Sequence, residues 1–231
     1  MSIAQNIQTV RQQMAEAARA AGRDPSEILL VGASKMNDAA ACKEAVAGGI
    51  DALGENRVQE LLAKYAEDAY VGAPLHFIGH LQRNKVRQIV GKVDLIQSVG
   101  SLELLEEIEK VAAREQLVQD ILLEVNIGRE EAKSGFDPDA VTAAAEAALS
   151  LPHVRVRGLM TIPPADADRD ANMRYFQEVQ ALYVDINTKL FHNELKCLSM
   201  GMSGDYMDAI RCGATMVRVG TAIFGARNYN I

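Results

Sequence analysis

Apolar residues recur at Ile3, Ile7, Val10, Met14, Ala17 and Ala21, so the chain opens on one face of an amphipathic helix that ends near Gly22. Beyond it the pattern changes. Short apolar runs at 28–33, 51–53, 75–79, 94–97, 119–126, 154–159, 195–199 and 215–219 read as eight strands. Between them lie helical spacings such as Leu104, Leu105, Ile108, Val111 and Ala112, or Met173, Phe176, Val179, Leu182 and Ile186. This alternation predicts an α/β fold: a single parallel (β/α)8 TIM barrel over residues 1–231, with the first helix as an extra element capping the end opposite the mouth. The runs 51–53 and 195–197 are short, which keeps a doubly wound open sheet as the competing arrangement. No Gly-x-Gly-x-x-Gly follows an early strand, and no Gly-x-x-x-x-Gly-Lys occurs.

Composition narrows the function. With 231 residues, 48% of them hydrophobic, the chain can bury a substantial core. Its 24 basic and 31 acidic residues give a net charge of −7, which argues against nucleic acid as a partner. Cys42, Cys197 and Cys212 are odd in number and form no C-x-x-C, so neither a disulfide framework nor a metal site is expected. The amino terminus lacks a signal pattern, and no apolar run approaches the roughly 20 residues needed to cross a bilayer. A cytoplasmic protein, monomeric for want of heptads or apolar patches, is the expectation.

The polar residues that follow the strands carry the candidate chemistry. Lys35 closes the run 28–35 and would bring an amine to the barrel mouth, where it can form an imine; the competing reading is a solvated lysine. The same rim would hold Gly54-Glu55-Asn56, His80, Ser98, Asn126, the 199–203 segment and Arg218. In Leu198-Ser199-Met200-Gly201-Met202-Ser203-Gly204-Asp205, small residues precede a helical pattern, and backbone N–H groups there can hold an anion; alternatively Ser203 simply caps the helix. Gly220-Thr221 supplies a second small loop, where barrels often bind phosphate. Arg218 donates hydrogen bonds and accepts none, so a pyridine nitrogen facing it stays unprotonated; the competing role is an ion pair. Lys133-Ser134-Gly135 reads as a solvated loop.

Together these segments resemble the pyridoxal phosphate homeostasis protein family, relatives of the barrel domain of alanine racemase. The likeness runs through Gly32-Ala33-Ser34-Lys35, Gly54-Glu55-Asn56 to Gln59-Glu60, the 76–85 segment, Lys133-Ser134-Gly135, the 157–163 segment, Leu198 to Ser203 and Val217 to Gly225. It implies pyridoxal 5'-phosphate held as an internal aldimine on Lys35, with Arg218 facing the ring nitrogen and Asn56 beside the ring. The turn of Ser199, Met200, Gly201 and Ser203, with Gly220 and Thr221, would hold the phosphate. It implies a role in cofactor and amino-acid homeostasis without established turnover, with apoenzymes as possible recipients. Many relatives carry a second lysine two residues after the imine lysine; here that position is Asn37, which leaves Lys133 as the loop lysine for moving the cofactor.

Two enzymes compete with this reading. A pyridoxal phosphate-dependent racemase of the alanine type takes its second base from a tyrosine of a carboxyl-terminal β-domain. With Ile231 only a few residues past the eighth strand, that domain is expected to be lacking, which leaves a residue such as Tyr206 to substitute for it. A Schiff-base aldolase acting on a sugar phosphate would use Lys35 but gives Arg218 no purpose.

Overall fold

Ser2 starts the first helix with a reciprocal cap: its hydroxyl accepts from Gln5 N at 3.2 Å, and Gln5 Oε1 accepts from Ser2 N at 2.9 Å. The helix, α1 (Ile3–Ala20), belongs to a computed structural model that describes residues 2–225. Eight strands follow: β1 (Leu29–Ala33), β2 (Ala52–Glu55), β3 (Leu75–Phe77), β4 (Leu95–Val99), β5 (Gln119–Val125), β6 (Val154–Thr161), β7 (Cys197–Ser199) and β8 (Met216–Val219). The helices between and after them are α2 (Ala39–Ala47), α3 (Val58–Tyr65), α4 (Val86–Ile89), α5 (Leu102–Arg114), α6 (Val141–Leu149), α7 (Arg169–Leu190), α8 (Tyr206–Arg211) and α9 (Thr221–Phe224). All strand neighbours are parallel, and β1 pairs with β8 to close the barrel. The open-sheet alternative is thereby removed.

All eight predicted runs contain a strand, with shifted ends. The run at 195–199 begins its ladder only at Cys197. Leu195 is tied instead to α7, its N–H by Asn187 Oδ1 at 2.9 Å and its carbonyl by the Tyr183 hydroxyl at 2.7 Å.

The first helix is not a plug for the barrel floor. It packs against α2, α8 and α9, and its buried face of Ile7, Val10, Met14, Ala17 and Ala18 joins the core between strands and helices. The four-residue α9 leaves the outer layer short after β8, and α1 fills that place. Asn6 Nδ2 donates to Ile223 O at 2.8 Å, and Arg23 Nη1 reaches the carbonyls of Ile210 and Ala214.

Strand periodicity sorts the barrel interior into layers, because residues two apart share a face. Val31, Ala52, Leu95, Leu122, Met160 and Met216 form a separate apolar cluster inside the barrel. Two residues further on in the same strands come Ala33, Gly54, Gln97, Glu124 and Arg218, and the next inward step on β1 and β2 reaches Lys35 and Asn56. The interior therefore turns from apolar to polar towards the carboxyl ends of the strands.

One glycine is demanded by this closure. The β5–β6 register shifts between Ile121 and Leu122, and Gly158 sits at the shift with φ +155°. A Cβ there would lie 1.6 Å from Cys197 O on β7. Gly158→Ala is expected to lose about 3 kcal/mol or more in urea unfolding. Gly49→Ala, whose Cβ would meet nothing, should lose only about 1–2 kcal/mol from its φ of +81°. Equal losses in the two variants would refute the steric account.

Candidate functional site

The β1–β8 ladder pairs Val31 with Arg218, which puts the end of the first strand beside the end of the last. A cavity of about 210 Å3 opens there, lined by Ala33, Lys35, Asn37, Met202, Ser203, Gly204, Arg218, Gly220, Thr221, Phe224 and Gly225. Lys35 is half-buried in the turn that follows β1, and Met36 after it has a left-handed φ of +62°. Asn37 donates from Nδ2 to Lys35 O at 3.1 Å. Among the described residues lining this cavity there is no carboxyl, imidazole, thiol or phenol group.

Arg218 is 3% exposed, and its direction of hydrogen bonding sets that of one line of side chains across the barrel interior. Nη2 donates to Thr161 O at 2.8 Å and Nη1 to Ser199 Oγ at 2.5 Å. Because guanidinium only donates, Ser199 must accept it and give its own proton to Gln97 Oε1 at 2.6 Å. Gln97 Nε2 then donates to His76 Nδ1 at 2.9 Å, so that nitrogen carries no proton. Burial pulls His76 down to about 4, in agreement with a neutral ring. Burial also lowers Arg218, to about 10, opposed by the charges of Glu124 and Asp205; it stays a cation near neutral pH.

The two loops expected to hold an anion do meet. Ser203 Oγ accepts from Gly220 N at 3.1 Å and keeps its hydroxyl proton to donate. The N–H groups of Ser203, Gly204 and Thr221 have no acceptor among the described residues. Ser203 is not the ordinary helix cap that was its competing role, since it makes no side-chain bond to the start of α8; Asp205 Oδ1 instead accepts from Met202 N at 2.6 Å. Ser199, Met200 and Gly201 lie behind the loop, fully buried in the case of both side chains. Gly201 has φ +92°, and a Cβ on it would stand 2.6 Å from the Ala209 Cβ, so the turn requires glycine.

Asn56 is not in the Lys35 cavity. With Ile78, His80, Glu124, Asn126, Lys133 and Ser134 it borders a second hollow of about 200 Å3, and its buried Oδ1 has no hydrogen-bond partner among the described residues. Burial pushes the Glu124 carboxyl up, against the Ser134 hydroxyl bond and the Arg218 charge. Lys133 is exposed on its loop, as expected, with Nζ 2.5 Å from Glu130 Oε2 in a surface pair. Tyr206 is turned away from Lys35, its hydroxyl donating to Gln13 on α1. Ser98 Oγ donates to Gly79 O at 2.5 Å.

Sequence reasoning passed over Gln97 and Glu124. Each is a polar residue at an interior-facing position of its strand, two positions beyond an interior leucine, and that break in the inward pattern was the available signal.

A sequence model described as the alanine racemase N-terminal domain matches residues 2–228. The pyridoxal phosphate homeostasis protein of Pseudomonas aeruginosa is 42% identical over 99% of this chain and 97% of its own length. The chain belongs to the pyridoxal phosphate homeostasis protein family. Its relative of that name from Aquifex aeolicus is 41% identical over 99% of this chain and 100% of its own length. Within the family, the structure of PipY from Synechococcus elongatus, described as having PLP bound, is 33% identical, with a TM-score of 0.85 over 97% of this chain and 100% of PipY.

The neutral His76 makes stability pH-dependent. Unfolding returns it to its ordinary value of 6.5, so between pH 6.5 and about 4 the unfolded chain binds the extra proton and stability falls as pH falls. The full contribution is about 3 kcal/mol at most. His76→Gln, which still offers an acceptor to Gln97, should flatten that part of the urea-unfolding profile; an unchanged slope would refute the assignment.

Proposed function

We propose that this protein binds pyridoxal 5'-phosphate in the Lys35 cavity, joined to Lys35 as an imine, and keeps the cofactor in reserve without turning over a substrate. One observation carries the reading: an amine, a buried guanidinium and a set of hydroxyl and N–H donors converge on a cavity without a carboxylate among its described residues. That donor set fits a phosphorylated aldehyde, because it offers a nucleophile at one end and only cation and hydrogen-bond donors around the anion. The family name and the PLP-bound relative support it.

Each residue then has a role. Ser203 and Thr221 would hold the phosphate with their hydroxyl and N–H groups, Gly220 orients the Ser203 hydroxyl by donating its N–H to it, and Ser199, Met200 and Gly201 shape the turn behind them. Ser199 acts through Arg218, since its hydroxyl is already engaged on both sides. Arg218 would face the pyridine nitrogen and keep it unprotonated, and Asn56, just past β2 beside β1, would border the ring from the second hollow. When bound, the cofactor supplies a reactive aldehyde and an electron-accepting ring, and an unprotonated nitrogen weakens the second property.

Residues 1–231 act in this reading as one cytoplasmic, monomeric binding domain whose partners are apoenzymes that need the cofactor. The racemase alternative lacks support at the site. Proton transfer on both faces of a substrate needs two bases, and Tyr206 is bonded to Gln13, away from the cavity.

With pyridoxal phosphate added, the wild type is expected to show an imine absorption band that borohydride removes, leaving the adduct on the Lys35 peptide. Lys35→Ala should show neither; an equal adduct in the variant would end the reading. Ser203→Ala and Thr221→Ala are expected to weaken binding of pyridoxal phosphate about tenfold while sparing unphosphorylated pyridoxal. Equal losses for the two ligands in a binding titration would remove the phosphate role.

A further inference from the structure

Behind Lys35 lies a buried charged cluster that the proposed function does not use. Lys64 on α3 is 5% exposed, and its Nζ bonds Glu55 Oε1 at 2.7 Å and Glu60 Oε1 at 2.7 Å. Burial alone would lower the Lys64 pKa; Glu55 and Glu60 outweigh it, so Lys64 is held charged. Glu55 Oε1 also accepts from the Ser34 hydroxyl at 2.6 Å and from the Tyr70 hydroxyl at 3.1 Å.

The cluster meets the main chain on both sides of Lys35. Lys64 Nζ donates to Ser34 O at 2.9 Å, the carbonyl of the peptide group that precedes Lys35. Glu60 Oε1 accepts from Met36 N at 2.5 Å, the N–H of the peptide group that follows it. The carbonyl of that second peptide group is the one taken by Asn37 Nδ2. Met36 sits in the left-handed region, a conformation that costs a non-glycine residue about 1 kcal/mol and needs outside contacts to persist. A surface ion pair would hold such a turn poorly, whereas this one is mostly withdrawn from water and is screened less by salt.

We infer that the Glu60–Lys64 pair is a positioning clamp for Lys35: it fixes the two peptide planes that flank the lysine and so aims its amine into the cavity. The inference rests on the proposed function for what the amine attacks. In that step the nitrogen lone pair forms a bond to the aldehyde carbon, and the carbonyl oxygen leaves as water with the two protons of the neutral amine. No oxidant or reductant takes part. Attack depends on approach angle and distance, so freeing the turn slows addition to an aldehyde that the cavity holds in place. Addition to a small aldehyde that the cavity does not hold is left unchanged.

The test uses Glu60→Ala, which leaves Lys64 paired with Glu55 and so avoids an uncompensated buried charge, and Glu60→Gln, which restores an acceptor for Met36 N. Two quantities are read on the cofactor-free protein: hydrogen exchange of the Met36 amide, and the rate of Lys35 labelling by pyridoxal phosphate relative to propanal, each trapped by cyanoborohydride and mapped by mass. In Glu60→Ala the Met36 amide should exchange at least about tenfold faster and the labelling ratio should fall about tenfold, with Glu60→Gln recovering both. Unchanged Met36 exchange would overturn the clamp, and faster exchange with an unchanged ratio would reduce it to a purely structural contact. If the wild type itself shows no preference for pyridoxal phosphate, the proposed function fails instead, a result separable from either outcome in the variants.

Discussion

Hydrogen bonding between the first and last strands closes this barrel, and the chemistry at its mouth exists only because of that seam. Val31 pairs with Arg218, and the short ladder carries Lys35 and Gly220-Thr221 to one cavity from opposite ends of the chain. A parallel pair of this kind cannot form from a local turn, so the surrounding helices and the apolar interior must hold it in register. The steric demand for glycine at 158, far round the barrel, belongs to the same constraint, because a strand displaced anywhere in a closed ring displaces the seam.

Inside the ring, charge has been admitted on strict terms. Arg218 is fully enclosed, yet one of its bonds ends on the Thr161 carbonyl and another starts a line of donors and acceptors that ends at a neutral imidazole. An uncompensated cation in such a place would be strongly destabilising, and a line with one direction of donation tolerates no second proton at His76. The polar upper layer and the apolar lower layer thus reflect one alternation along the strands, cut off at different heights.

The barrel and the cavity were largely legible in the residue pattern because both depend on strand ends, where period-two burial gives way to small and polar residues. Lys35, Ser203, Arg218, Gly220 and Thr221 come together as that pattern implies. Less legible were features that depend on which way a side chain turns. Ser199 closes a strand and was grouped with the turn that follows it, but its hydroxyl belongs to the interior. Glu60 and Lys64 have the spacing of a solvent-exposed helical pair, and only the approach of the Ser34–Met36 turn takes them out of water. The amphipathic face of α1 was plain, whereas the neighbours it meets were not, since periodicity defines a face and says nothing of its partner.

That placement of α1 has a consequence for how the protein is made. Among the described helices α1 is made first, and it packs chiefly against α8 and α9, which are made well after it, and against α2. Ile7, Val10 and Met14 therefore wait, while strands β1 to β8 are made, for the surface that covers them. Contacts so distant in sequence form slowly, and an unfinished chain presents an apolar stripe to any other nascent chain nearby. The native outer layer is completed as a late, cooperative event, when the last quarter-turn of the ring and the first helix dock together.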